Sequence, residues 1–340
     1  MQEASRTIRA SAPARVDLAG GTLDIWPLYL LVERAVTVNV AIRHRARAEV
    51  RSSGSPDHLV RAADIGREVR IAARHGGGPF PAGFGELPLH EAVLRQTAPR
   101  GGLTVLTSSD VPAGSGLGGS SSLAVSLLAA ILTHEGSGYS LEGLAALARD
   151  IEARVIEAPT GTQDHLAALF GGVAAIHYEA GPEVREPISI PPADLEARGV
   201  LAYLGASRAS ARANWDMIRR ALDNEPATRR GFSAIADIAR RMREALLRSD
   251  FEACGKLLGE EWEERRGLSP QVATPETEKA LSAARRAGAA GGKICGAGGG
   301  GSLFVMGPPD AKAAITESLR GLGCRILDFQ VDPLGLQVAT

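Results

Sequence analysis

The chain has 340 residues, 44% of them apolar but only 4% aromatic, with 38 basic and 39 acidic side chains. This length allows one large or two ordinary domains, with a core of Ala, Val, Leu and Ile, and a net charge near −1 excludes a generic nucleic-acid surface. Cys254, Cys295 and Cys324 form no C-x-x-C, residues 1–10 lack an apolar leader core, and no apolar run is long enough for a membrane span, so disulfide, zinc, secretory and membrane classes are set aside and a cytoplasmic location with reduced thiols is expected.

Residues 7–19 read as a β segment carrying Ala12-Pro-Ala-Arg-Val-Asp17. Over 36–50, Val36, Val38, Val40 and Ile42 alternate with Thr37, Asn39 and Ala41, which predicts a long strand. Residues 52–60 are polar and turn-rich, 69–73 reads as the return strand, and the Gly- and Pro-rich stretch 76–83 as a loop. A helix is expected over 89–97, followed by the apolar run Leu103 to Leu106, a glycine-rich segment, and helices over 120–134 and 141–156, with Ser140 as N-cap of the second. Residues 159–172 predict a turn, a short helix and a Gly pair, with strands near 173–178 and 199–204. Helices follow at about 210–222, 227–248, 251–266 and 276–287, then a strand, glycine loop and strand over 290–306. A helix near 310–321 and strands near 324–330 and 335–339 close the chain. Strands and helices mixed without regular alternation indicate an α+β fold with mostly antiparallel sheets. The change to helix-rich sequence puts a soft boundary near 175–200, and we divide the chain into domains 1–180 and 181–340.

The most informative stretch is Pro112-Ala-Gly-Ser-Gly-Leu-Gly-Gly-Ser-Ser-Ser122, with four glycines and four serines just before an apolar helix. Glycines let backbone approach a ligand closely, and a helix N-terminus offers unpaired N–H groups with a partial positive charge. Together they form an anion site, most naturally for phosphate. Gly114, Gly116 and Gly119 also satisfy G-x-G-x-x-G, but seven residues separate them from Leu106, and the helix leads to another helix. Gly296, Gly298 and Gly301 match the same pattern and are followed by a strand-like run. Both contexts reject a dinucleotide fingerprint, and no G-x-x-x-x-G-K-[ST] occurs.

Three separated motifs then carry a resemblance: Ala12 to Asp24, the loop 112–122, and Lys293-Ile-Cys-Gly-Ala-Gly-Gly-Gly-Gly-Ser302. In order and position the chain resembles the GHMP kinase superfamily, over essentially its whole length. Gly161-Thr-Gln-Asp-His165, Phe170-Gly-Gly172, Gly205 to Ser210, Leu258-Gly-Glu-Glu-Trp262 and Ala287 to Lys293 are similar to the branch holding heptose 7-phosphate kinases and fucokinase-like proteins. The resemblance implies a two-lobed α+β fold, with a ribosomal-protein-S5-like N-terminal domain that binds ATP and a ferredoxin-like C-terminal domain.

It also implies roles. Pro112, Gly114, Ser115, Gly116, Leu117, Gly118, Gly119, Ser120, Ser121 and Ser122 would hold the nucleotide phosphates. Ser120 and Glu152 would hold Mg²⁺, which takes hard oxygen ligands; Gly119 stands where the family keeps a serine, which blurs the register of the metal serine. Asp164 matches the family's catalytic aspartate, and Arg15 its first-motif basic residue. Asp24 is the main substrate candidate, with Thr22, Gln163, His165, Gly298 and Gly299 beside it. His165 replaces a glutamine of the branch and reads equally as a structural histidine. Arg208 and Arg212 read equally as a sugar-phosphate clamp or as solvated arginines, and Lys293 is expected to make a surface or loop contact. The implied activity is transfer of the γ-phosphoryl of ATP to a sugar hydroxyl, foremost C1 of a heptose 7-phosphate. A kinase of a free sugar such as fucose, and a non-catalytic sugar and ATP sensor, stand as alternatives. The expected partners are ATP and a small sugar or sugar phosphate, with no nucleic acid or membrane, in a monomer or homodimer.

Overall fold

The computed structural model describes residues 6–73, 83–205, 210–296 and 298–340, and only the backbone of residues 210–214. Arg208, the side chain of Arg212 and most of the loop 76–83 therefore lie outside the described residues. No helix among the described residues is long and apolar enough to cross a membrane.

β1 (Ile8–Ala19) pairs antiparallel with β2 (Ala35–Ser52), with register shifts at Pro13/Ala14 and Asp17/Ala19. Val36, Val38, Val40 and Ile42 enter one apolar cluster, as their alternation predicts. Thr37, Asn39 and Ala41 are buried as well, because helices cover the other face of this strand. The turn-rich reading of 52–60 needs correction. β3 (His58–Ala62) starts inside it, with His58, Val60 and Ala62 turned inward, and pairs antiparallel with β4 (Arg67–Ile71). After α1 (Pro88–Thr97), β5 (Leu103–Ser109) runs parallel to β3 and antiparallel to β2.

The glycine-rich loop then leads into α2 (Gly119–His134), whose positions 121, 122 and 124–131 are buried. A helix apolar on nearly every side belongs in the centre of a layer, and α2 lies against β1 and β2 with α1 and α3 (Leu141–Ile156) beside it. Ser140 caps α3 by accepting from Gly143 N–H at 3.0 Å, as expected. The short α4 (Gln163–Phe170) follows, then β6 (Val173–Tyr178) on β2 and β7 (Val184–Ile188) on β6. β7 and α5 (Pro192–Glu196) are additions to the expected elements.

A second sheet begins with β8 (Gly199–Tyr203). Four helices come next, α6 (Ser210–Leu222), α7 (Pro226–Leu247), α8 (Phe251–Leu268) and α9 (Pro275–Arg286), matching the expected helical half. α9 starts on a capping box between Thr274 and Thr277, with Pro275 at its first position. β9 (Gly291–Ile294), β10 (Ser302–Met306), α10 (Lys312–Gly321) and β11 (Arg325–Leu327) complete the antiparallel order β11-β8-β10-β9. β12 (Gln337–Ala339) returns to pair with β1 in the first sheet.

β8 and β10 are apolar without alternation because both of their faces are covered. Leu201, Phe304 and Met306 join Val16, Val38 and Leu258 in one cluster; Val200, Ala202, Leu303 and Val305 join α9 and α10 in another. The two sheets thus share a continuous apolar middle. This is the expected α+β architecture.

Candidate active site

The carboxyl half of β1, the loop before α2 and the start of α4 converge on one cavity of about 490 Å³. Arg15 of β1 is buried beside it. Its guanidinium makes two parallel bonds to Asp164, Nε to Oδ1 at 2.7 Å and Nη2 to Oδ2 at 2.8 Å. Nη1 donates to the carbonyl of Gly116 at 2.6 Å. Burial alone would lower the pKa of Arg15, but the charges of Asp164 and Asp17 outweigh it and raise it. Asp164, in the first turn of α4, keeps part of its carboxylate open to the cavity.

Asp24 lies on the same wall. Its Oδ2 accepts from Gln163 N–H at 3.2 Å and its Oδ1 from Gln163 Nε2 at 3.4 Å. Burial, helped by the nearby charge of Asp164, pushes this carboxyl up to about 6. Gly161 makes the seat possible: a Cβ there would stand 1.8 Å from Asp24 Oδ2.

Pro112, Gly114, Ser115, Gly116, Gly118, Gly119, Ser120 and Ser121 line the cavity. Gly118 is the N-cap of α2 and makes no side-chain cap bond, so the N–H groups of the first turn have no side-chain partner at that cap. Leu117 and Ser122 are not on the wall. Leu117 is buried and accepts from Arg15 N–H through its carbonyl, and Ser122 Oγ donates to Pro13 O at 2.7 Å. The loop is closed from behind by the second sheet: Ser302 N–H donates to Ser115 O at 2.8 Å. Gly116 has φ +75°, and a Cβ on it would stand 2.3 Å from Cys295 O. Burial pushes the Cys295 thiol up to about 12, so it is inert here.

Glu152 of α3 is buried and accepts from Ser121 Oγ at 2.6 Å. Burial would raise its pKa, yet His165 and the hydroxyls of Ser120 and Ser121 overcome this and hold it below the usual carboxylate range. His165 Nε2 lies 3.0 Å from Glu152 Oε2. This corrects the substrate reading of His165: the ring is fully buried behind Glu152 and off the cavity wall. Thr22 and Gln163 do line the cavity. Gly298 and Gly299 turn elsewhere, toward Val272, whose carbonyl accepts from Gly299 N–H at 2.8 Å, and among the described residues of that loop Gly296 is the one on the wall.

Lys293 is the plainest correction. It is fully buried on β9, not at the surface. Its Nζ donates to Asp17 Oδ2 at 2.8 Å and stands 2.9 Å from Glu261 Oε2, an ion pair off the hydrogen-bond line. Arg265 of α8 pairs with the other oxygen of Glu261 at 2.8 Å and donates to Gly21 O at 2.6 Å and Thr22 Oγ1 at 3.1 Å. Burial opposes the charge on Asp17, but Lys293, Arg265 and Arg15 overcome it and lower its pKa. Asp17, Glu261 and Arg265 were missed in the sequence. The readable signal was a lone lysine in an apolar strand and a Glu–Arg pair spaced i,i+4 on a helix.

The sequence model of the GHMP kinases N terminal domain matches residues 89–172, and that of the GHMP kinases C terminal domain matches residues 242–323. A mevalonate kinase of Thermococcus onnurineus is 31% identical over 70% of this chain and 69% of its own length. The chain belongs to the GHMP kinase family. A D-glycero-alpha-D-manno-heptose 7-phosphate kinase of Campylobacter jejuni is 28% identical, covering 98% of both chains. A solved structure of a Campylobacter jejuni protein described as a sugar kinase superposes with a TM-score of 0.77 at 26% identity, covering 99% of each chain.

As a GHMP kinase, the protein is an ATP-dependent phosphotransferase acting on a hydroxyl. The family implies a divalent metal beside the nucleotide, and the residues present fit one. Glu152 is held ionised, and Ser120 and Ser121 add hydroxyls, all hard oxygen donors. Among the described residues no three His, Cys, Asp or Glu side chains cluster as a complete cage. Mg²⁺ takes few protein ligands and completes its shell with phosphate oxygens and water, so one carboxylate and two hydroxyls are a sufficient donor set.

Proposed function

We propose that this kinase transfers the γ-phosphoryl of ATP to the C1 hydroxyl of a heptose 7-phosphate. The observation that carries the reading is the bidentate Arg15–Asp164 pair facing the open start of α2 within one cavity. The α2 N–H groups and loop 112–121 hold the phosphates, and the apolar end of the cavity at Ile65, Leu89 and Ile156 suits the purine ring. Asp164 accepts a hydrogen bond from the acceptor hydroxyl and aims its oxygen at the γ-phosphorus. Asp164 takes the proton late, once the new O–P bond is largely formed. Asp24 and Thr22 hold neighbouring hydroxyls. Mg²⁺ on Ser120, Ser121 and Glu152 would neutralise phosphate charge. In this reading residues 1–180 form the ATP-binding domain, and residues 181–340 close the site through Gly296.

The relative from Campylobacter jejuni supports the choice of acceptor. ³¹P NMR of the protein with Mg-ATP and D-glycero-D-manno-heptose 7-phosphate tests it. A new anomeric phosphate signal is expected, abolished in Asp164→Asn. Turnover unchanged in that variant would defeat the assignment of Asp164, and no product from the heptose would discard the acceptor.

A further inference from the structure

A second cavity, of about 760 Å³, adjoins the first and shares Asp24, Pro159 and Thr160 with it. Its walls are unlike the rest of the molecule. The chain has three tryptophans and four tyrosines, and Trp26, Trp215, Tyr29 and Tyr178 all line this one space. Trp26 lies two residues beyond Asp24 and is 67% exposed; Trp215, on α6, is 43% exposed. Trp262, the third indole, is buried and satisfied by Glu278 at 3.1 Å. An aromatic-poor chain has therefore left its two accessible indoles beside the reacting centre, where a bound ligand would cover them.

The polar groups define the ligand. Asp24, Glu179 and Glu183 line the cavity, and among the described residues the one cation on its wall is Arg149, which already pairs with Asp150 at 2.8 Å. Carboxylates accept from hydroxyls and repel phosphate. Indole rings take the apolar C–H face of a pyranose or polyol chain, while a few polar groups fix its orientation.

We infer that this aromatic cavity is the acceptor's specificity subsite: the reacting hydroxyl sits at Asp164, and the neutral, hydroxylated carbon skeleton extends past Asp24 with its C–H face on Trp26 and Trp215. This rests on the kinase reading above.

Steady-state kinetics with heptose 7-phosphate and with the free heptose, on wild type, Trp26→Ala, Trp215→Ala and Trp26→Phe, tests it. We expect the acceptor KM to rise at least tenfold in both alanine variants. kcat should change by less than threefold and the KM for ATP by less than twofold, with Trp26→Phe recovering most of the loss. If wild type turns over but both alanine variants keep the acceptor KM within twofold, the subsite is refuted and the kinase reading stands. If wild type phosphorylates neither sugar, the acceptor reading falls, and indole fluorescence decides for the cavity. Saturable quenching by the free heptose, lost only when Trp26 and Trp215 are both replaced by Phe, supports the subsite, and no quenching overturns it.

Discussion

Replacing Lys293 with Met removes an ammonium group from a fully buried position while keeping most of the stem. In the protein as it stands, two carboxylates, Asp17 and Glu261, face two cations, Lys293 and Arg265, so the cluster is neutral. The variant leaves one uncompensated negative charge where water does not reach. Removing one partner of a buried pair costs about 3–5 kcal/mol. The alternative is to protonate a carboxyl; holding one neutral at pH 7, about three pH units above its usual pKa, costs about 4 kcal/mol. The two routes agree. Urea unfolding followed by far-UV circular dichroism should therefore show Lys293→Met less stable by about 4 kcal/mol at pH 7. The folded variant holds a proton that the unfolded chain releases, so acid relieves the loss, and the gap to wild type should narrow by pH 5. Asp17→Asn in the same background should recover part of it. A loss below about 1 kcal/mol, the range of exposed pairs, or an equal loss at pH 7 and pH 5, would refute the reasoning.

Other expectations follow from the same geometry. Asp24 has its folded pKa raised from 3.8 to about 6, so its contribution to stability is fully present below about pH 4 and lost as pH rises through 6. The stability of Asp24→Asn relative to wild type should therefore grow by about 3 kcal/mol between pH 4 and pH 8, and a flat difference in urea midpoints would contradict it. Arg15→Lys keeps the charge but loses the two-pronged bond to Asp164 and the tie to Gly116. A charge-assisted hydrogen bond is worth about 1.5–3 kcal/mol, so kcat should fall about ten- to hundredfold; activity within twofold would show that a point charge suffices. Glu152→Gln should raise the Mg²⁺ concentration for half-maximal rate at least tenfold while the KM for ATP at saturating Mg²⁺ moves less, and an unchanged Mg²⁺ titration would remove Glu152 from the metal's shell.

Local chemistry was legible, and distance was not. The start of α2 was readable to within one residue because glycines and serines followed by an apolar run form a signal inside a single window. The Ser140 cap is likewise local. β3 was hidden because His58 and Arg61 dilute five residues that are a strand only by virtue of β5 and β4 on either side. β7 was hidden because Pro187 reads as a breaker, yet it is tolerated on a strand paired on one side only. Arg15 and Asp164 are 149 positions apart, and only the family motifs brought them together before the structure did. Lys293 went astray for the converse reason: its partners lie 276 and 32 residues away, and no window contains the charge that makes its burial tolerable.

The backbone seam between the two glycine loops bears on whether the catalytic unit can be divided. Ser115 and Gly116, which line the cavity, are backed by Ser302 of the second sheet and by Cys295 just beyond β9. Arg265 reaches across to Gly21 and Thr22, and Asp17 reaches Lys293. A fragment ending near residue 180 would keep every residue of the glycine-rich loop 112–122, yet lose the wall that shapes it, and would expose the apolar middle that both sheets share. The matched N-terminal and C-terminal segments are therefore modules of sequence, while heating should reveal a single cooperative body.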